Sequence, residues 1–245
     1  FHEERLIQSL EMIGIAHSIV SGSIMAALGR LVEANRLPEC NLKIIAVSRD
    51  GRDADWYAFA LPAIVPPPDV TRGGVSCMVF EGQRQFPRAK SLSLLLSTVA
   101  FRRASAAGSW DALLLNTRGY ITEGTRTNIF YVAADVPTGF RGPVYTPPAA
   151  DVLEGITRRT LIQALGATGI GTEERSLAES EALSGRFALM VTSTSSNVLP
   201  VRTLILRDGD RLELTVPAFV QELCALYDAF LARYASGQGR PVDKE

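Results

Sequence analysis

The residue best suited to covalent chemistry in this 245-residue chain is Lys90. Lysine occurs at only three positions, Lys43, Lys90 and Lys244. Lys90 follows an irregular run at 87–89 and precedes a predicted apolar helix, where partial desolvation would lower the pKa of its amine. A neutral amine can form a Schiff base with a carbonyl, whereas a guanidinium cannot. The alternative is an ordinary solvent-exposed lysine.

Glu123 is a second candidate, in a predicted polar loop between a turn at 118–119 and a strand at 129–133. A carboxylate there could accept a hydrogen bond from a protonated pyridine nitrogen and so keep such a ring an electron sink. Gly124 would let the backbone approach closely. The alternative is a solvated loop carboxylate.

Two further segments carry groups that bind anions. Gly155 is predicted to begin a helix at 155–167, and the first N–H groups and the dipole of a helix favour an anion. The run 192–197, which includes Ser193 and Thr194, follows an apolar strand and is rich in hydroxyls and backbone amides, a composition that could bind a phosphate. An ordinary helix start and an ordinary polar turn are the alternatives.

These candidates depend on elements that alternate in a mixed α/β pattern. Apolar periodicity, prolines and turn residues predict helices at 2–13, 18–35, 91–107, 155–167 and 217–234. Alternating or continuous apolar runs predict strands at 42–47, 56–61, 75–80, 111–116, 129–133, 187–192 and 198–206.

Three consecutive prolines at 66–68 interrupt this series, because neither a helix nor a central strand can pass through them. We therefore predict a small N-terminal α/β domain at 1–65, a linker at 66–70 and a larger domain at 71–236. The residues at 237–245 are predicted to form a disordered tail.

Composition excludes several classes of protein. A formal charge of −1 gives no surplus to attract nucleic acid or a membrane, and 47% hydrophobic residues suffice for a sizeable core. The sequence shows neither an apolar run long enough to span a membrane nor a signal peptide, so we expect a cytoplasmic protein. Three widely spaced cysteines suggest reduced thiols, and with two histidines a histidine-based zinc site is not expected.

Taken in order, the motifs resemble those of the class IV aminotransferases, a family that includes D-amino-acid and branched-chain aminotransferases and aminodeoxychorismate lyase. The resemblance extends from about residue 1 to 201 and rests on Lys90–Leu92, Asp111–Asn116, Thr122–Thr125, Asn128–Phe130, Thr146–Pro148, Leu153–Arg158 and Thr192–Thr194. It implies fold type IV, in which a small N-terminal α/β domain precedes a larger α/β pseudo-barrel domain.

The resemblance also implies pyridoxal 5′-phosphate as the cofactor. Lys90 matches the lysine that binds it and moves a proton at the substrate α-carbon, and Glu123 matches the partner of the pyridine nitrogen. The other implied contacts are the phosphate ligands Arg5, Ile156 (through its backbone amide), Thr157, Ser193 and Thr194, and the ring-packing residue Leu153.

The activity implied is transamination between an amino acid and a 2-oxo acid, in a homodimer whose active sites borrow residues from the second subunit. Aminodeoxychorismate lyase chemistry and a non-catalytic relative are the alternatives. The chain begins after the first strands of the family's small domain. Ser93 replaces a common asparagine, and the run 52–54 lacks the histidine of the D-alanine enzymes' carboxylate trap. The donor and its handedness therefore stay open.

Overall fold

The computed structural model describes residues 1–37, 39–49, 51–63 and 73–236. The chain divides into two compact units, one with the described residues of 1–65 plus Arg88–Leu92, the other with the described residues of 66–87 and 93–245. Lys90 thus belongs to the first unit. The predicted linker at 66–70 and the predicted tail at 237–245 lie outside the described residues.

The first unit contains two helices and a hairpin: α1 (His2–Met12), α2 (Ser23–Asn35), β1 (Asn41–Val47) and β2 (Asp55–Leu61). The two strands pair antiparallel along their whole length. The second helix begins five residues later than predicted, because its N-cap Gly22 adopts the left-handed region with φ 85° and interrupts the helical pattern. The other bounds lie within one residue of the prediction.

Among the described residues, the second unit contains ten strands, four α-helices and a short 3-10 helix at Ala149–Asp151. Its strands are β3 (Val75–Glu81), β4 (Asp111–Leu115), β5 (Tyr120–Gly124), β6 (Asn128–Ala133), β7 (Val144–Thr146), β8 (Thr172–Glu174), β9 (Leu177–Ala178), β10 (Phe187–Ser193), β11 (Asn197–Ile205) and β12 (Arg211–Glu213). Its helices are α3 (Leu95–Ala106), α4 (Ile156–Ala167), α5 (Glu179–Ala182) and α6 (Ala218–Ala235).

Six of these strands form a closed ring. The order β6–β10–β11–β3–β4–β5 returns to its start because β5 also pairs with β6. The pairs β11–β3 and β3–β4 are parallel, and the other pairs in the ring are antiparallel. This closed sheet confirms the mixed α/β fold with a barrel-like larger domain.

Both faces of the ring are buried, which explains the near-continuous apolar runs of its strands. Alternate residues such as Ile129 and Tyr131 join one apolar cluster inside the ring. The residues between them, such as Phe130, face outward and pack with α4 and α6 in a second cluster. A third, smaller cluster lies between α3 and β4.

Two sequence-based predictions about this unit are wrong. The helix predicted at 91–107 begins at Leu95, so the residues after Lys90 are irregular. The predicted polar loop around Glu123 is instead the strand β5. The short strands β7, β8, β9 and β12 were not predicted. Within the described part of the chain, every helix is too short or too polar to cross a membrane.

Candidate functional site

Glu123 is a buried carboxylate, 3% exposed, rather than a solvated loop residue. Its Oε2 accepts a hydrogen bond from the backbone N–H of Leu153 at 3.0 Å. Its Oε1 lies 3.4 Å from Nη1 of Arg84, whose side chain is 17% exposed. A buried charge is tolerated only with such partners, so both contacts stabilise an ionised Glu123.

A β-bulge directs this side chain. Leu113 and Leu115 of β4 pair with Gly124 and Ile121 of β5, so β5 has one residue more than β4 in the same stretch. Ile121 faces the inside of the ring, and without the extra residue Glu123 would face the same way. The bulge instead places Glu123 opposite Asn128 on the outer face.

The turn after Glu123 is held by the fully buried Asp111. The Asp111 carboxylate accepts hydrogen bonds from Arg126 N at 3.2 Å, from the Thr127 hydroxyl at 2.9 Å and from the Thr125 hydroxyl. A Cβ at Gly124 would overlap Asp111 and Thr127. The close approach predicted at Gly124 is therefore to protein atoms of this turn.

Asn128, at the start of β6, connects this strand to the segment before α4. Its Nδ2 donates to the carbonyl oxygen of Leu153 at 2.7 Å. The backbone of Leu153 is thus held through its N–H by Glu123 and through its carbonyl by Asn128. In the sequence, Asn128 stands out only as part of a family motif that implies no role for it.

Helix α4 follows directly and presents its N-terminus. Its N-cap is Gly155, which has no side chain to occupy the first N–H groups, so those of Ile156 and Thr157 suit an anion. Thr157 is 5% exposed. The hydroxyl of Tyr227 on α6 hydrogen-bonds the side chains of Thr157 and, at 2.9 Å, Thr160.

Tyr227 is a site residue that the sequence did not reveal, since it lies in an apolar closing helix where an aromatic residue predicts only packing. Burial raises the pKa of Tyr227, and the two threonine contacts only partly offset this effect. The phenol therefore stays protonated and can donate a hydrogen bond.

The hydroxyl-rich run begins in the last residues of β10, which extends one residue beyond the predicted strand to Ser193, and continues in a turn at 194–196. Thr192 is 1% exposed, pairs with Asn128 of β6, and its Oγ1 has no hydrogen-bond partner within the described residues. The Ser193 hydroxyl lies 2.6 Å from that of Ser196. Thr194 is exposed.

Three neighbouring strands therefore bring the candidates of the second unit to one end of the sheet. Glu123, Asn128 and Thr192 are adjacent on β5, β6 and β10. Ser193 and Thr194 follow Thr192, and α4 packs against β10. This arrangement combines a buried carboxylate with a helix N-terminus and several hydroxyls, which suits a ligand that has a basic ring nitrogen and a phosphate.

The first unit carries the other two candidates, Arg5 and Lys90. The buried hydroxyl of Ser9 donates to the carbonyl of Arg5 at 2.7 Å and accepts from the N–H of Lys90 at 3.0 Å. Ser9 thus joins α1 to the segment Arg88–Leu92, a link that the sequence did not predict. Lys90 itself is exposed, so the predicted partial desolvation is not found.

The fold and the site together define a class IV aminotransferase. The family model for amino-transferase class IV matches residues 1–204, so the chain belongs to this family. The D-alanine aminotransferase of Bacillus licheniformis is 27% identical to it over 226 residues, covering 88% of this chain and 76% of that protein.

Solved structures agree with this assignment. The branched-chain aminotransferase of Thermoproteus uzoniensis, solved with norvaline, is similar with a TM-score of 0.76 and 27% identity, covering 97% of this chain and 78% of that one. A protein assigned provisionally as a 4-amino-4-deoxychorismate lyase from Legionella pneumophila has a TM-score of 0.76 at 22% identity, with 92% and 83% covered. The second likeness shows the fold alone, whereas the relatives as a group support transamination.

Proposed function

We propose that this protein is a pyridoxal-phosphate-dependent transaminase that moves an amino group between an amino acid and a 2-oxo acid. The observation that carries this proposal is the buried Glu123 carboxylate, turned outward by a bulge toward Leu153 and Arg84. Holding an ionised carboxylate in a buried position is costly, which argues for a function. Membership of the family and the named activities of its relatives support the same reaction.

The residues of the second unit fit the cofactor. Gly155 leaves the first N–H groups of α4 to an anion, and the hydroxyl of Thr192 is buried without a partner among the described residues. When bound, pyridoxal phosphate supplies an electron-withdrawing ring that stabilises negative charge at the substrate α-carbon. Glu123 would accept a hydrogen bond from its ring nitrogen and keep that nitrogen protonated.

The remaining residues would hold and orient the cofactor. We assign the phosphate to the amide of Ile156, to the hydroxyls of Thr157, Ser193 and Thr194, and to the guanidinium of Arg5, which suits paired phosphate oxygens. Leu153 would pack on the ring. Lys90 would bind the cofactor covalently until the substrate amine displaces it, and its freed amine would then carry the proton from the substrate α-carbon to the cofactor.

The small number of lysines makes the covalent assignment easy to test. The purified protein is incubated with pyridoxal phosphate, reduced with borohydride, digested and analysed by mass spectrometry. We expect the pyridoxyl group on Lys90. Lys90→Arg should lose both label and transamination, whereas Lys43→Arg, which changes an exposed lysine of β1, should keep both. Label on another lysine with unchanged activity would refute the assignment.

The two alternative functions give different results in activity assays. The likeness to the Legionella protein is at the level of fold alone, so no specific observation favours the lyase. Release of 4-aminobenzoate from aminodeoxychorismate without a 2-oxo acid would indicate lyase chemistry. Cofactor binding without either activity would indicate a non-catalytic relative.

We further propose that the protein is a cytoplasmic homodimer. The support is the chain's membership of the family, whose resemblance implies a second subunit at the active site. Light scattering of the purified protein should give twice the mass of the chain, 26.5 kDa. A monomer with full activity would contradict the dimer.

A further inference from the structure

The segment that carries Leu153 is held to the sheet by two hydrogen bonds of opposite direction. Glu123 Oε2 accepts from the Leu153 N–H at 3.0 Å, and Asn128 Nδ2 donates to the Leu153 carbonyl at 2.7 Å. Glu123 and Asn128 are direct partners in the pairing of β5 with β6. The peptide groups on both sides of Leu153 are therefore fixed to one point of the sheet.

Gly155 completes this contact for a steric reason. Its φ of −66° and ψ of 142° are accessible to any L-residue, so the backbone does not require glycine here. A Cβ at this position would overlap Asn128 Oδ1. The amide of Asn128 cannot turn away without losing its hydrogen bond to Leu153. Asn128 and Gly155 are thus matched to each other.

We propose that Asn128 is a positioning residue for the cofactor, acting through Leu153 and Gly155. Leu153 lies three residues before Ile156, so Asn128 fixes both the ring-packing side chain and the first turn of α4 relative to Glu123. The inference rests on the proposed function, because it concerns the cofactor site of the second unit. In this role Asn128 would fix the position of the ring-packing Leu153 relative to the phosphate-binding N-terminus of α4.

The proposal predicts how cofactor affinity changes. Asn128→Ala removes one hydrogen bond and leaves the Leu153 carbonyl without that donor, which should weaken pyridoxal phosphate binding about tenfold or more. Gly155→Ala should weaken it similarly, because the new methyl group displaces the Asn128 amide. In the double variant no amide remains to be displaced, so its affinity should match that of Asn128→Ala alone.

The experiment measures pyridoxal phosphate dissociation constants for the wild type, the two single variants and the double variant by absorbance titration. Gly166→Ala in the same helix is the control, since a Cβ there meets nothing within 4 Å. The free energy of unfolding in urea is also measured for the same proteins without cofactor. If the increase in dissociation constant of the double variant equals the product of the two single increases, Asn128 and Gly155 are not coupled and this part of the proposal is overturned.

A second readout separates positioning from mere stability. The pH at which the absorbance of the bound cofactor changes should move in Asn128→Ala, because a displaced Leu153 amide alters the hydrogen bonding of Glu123, and stay unchanged in Gly166→Ala. Weakened unfolding stability with unchanged affinity and titration would overturn the positioning role. If the wild type binds no pyridoxal phosphate, the proposed function fails as well, whereas the unfolding cycle still reports whether Asn128 and Gly155 are coupled.

Discussion

Removing the Glu123 carboxylate should destabilise the cofactor-free protein severely. In Glu123→Ala the Leu153 N–H loses the acceptor at 3.0 Å, and Arg84, 17% exposed at its side chain, loses the carboxylate at 3.4 Å. A hydrogen bond to a charged group contributes about 1.5–3 kcal/mol, and breaking a buried ion pair costs about 3–5 kcal/mol. Because Arg84 keeps some contact with water, we expect a loss of about 3 kcal/mol.

Glu123→Gln should cost less, about 1–2 kcal/mol, since the amide oxygen can still accept from Leu153 while the charge opposite Arg84 is lost. The assay is urea unfolding of the cofactor-free variants, followed by circular dichroism and extrapolated linearly to water. Glu173→Gln, an exposed carboxylate of β8, is the control and should stay within about 0.5 kcal/mol of wild type. Stability of Glu123→Ala within about 1 kcal/mol of wild type would refute the reasoning.

Three further predictions concern other parts of the second unit and the thiols. Tyr227→Phe removes the hydroxyl that bonds Thr160, and should lower pyridoxal phosphate affinity severalfold while costing about 1 kcal/mol in urea unfolding. A thiol reagent at pH 8 should label Cys40 first, because burial raises the pKa of both other thiols; equal rates in the native protein would contradict this. Burial raises the pKa of Glu181, but hydrogen bonds from Arg175 and a backbone amide outweigh it and give a net lowered value. Because the pKa of Glu181 is lowered in the folded state, its ionised carboxylate stabilises the fold at pH values above the unfolded-state pKa of about 4.3. This stabilisation is lost as the pH falls through the folded-state pKa. Glu181→Gln should therefore cost roughly 0.5–1 kcal/mol at pH 7 and almost nothing below about pH 3.

The regular elements could be predicted from the sequence because their apolar periodicity matches their burial. The bounds of helix α4 and strand β10 were predicted within one residue, because the apolar face of α4 packs on the outer face of β10 in a single cluster. The bulged strand β5 could not be predicted, because Thr122 and Glu123 are polar residues buried with specific partners. Polar residues in a row indicate a loop when only the sequence is considered. The bulge becomes visible only when the pairing of β4 with β5 is known.

The same limit applies to the candidate site. The family motifs predicted which residues carry chemistry, and their placement at one end of three strands is consistent with that prediction for the second unit. The residues that orient them were not predicted: Ser9 joins Arg5 to Lys90, and Tyr227 holds Thr157. Each of these contacts joins segments far apart in sequence through one side chain, and such a contact leaves no periodic pattern.

The most direct test of the account is the amino-transfer half-reaction. The protein loaded with pyridoxal phosphate is mixed with each of a panel of L- and D-amino acids in the absence of any 2-oxo acid, while the cofactor absorbance and the released 2-oxo acid are measured. We expect a suitable donor to convert the cofactor once and to release one equivalent of 2-oxo acid per chain. The reaction should then stop until a 2-oxo acid is added, as a ping-pong mechanism requires. Continuous turnover without an acceptor, or no conversion with any donor by a protein that carries the cofactor on Lys90, would contradict it.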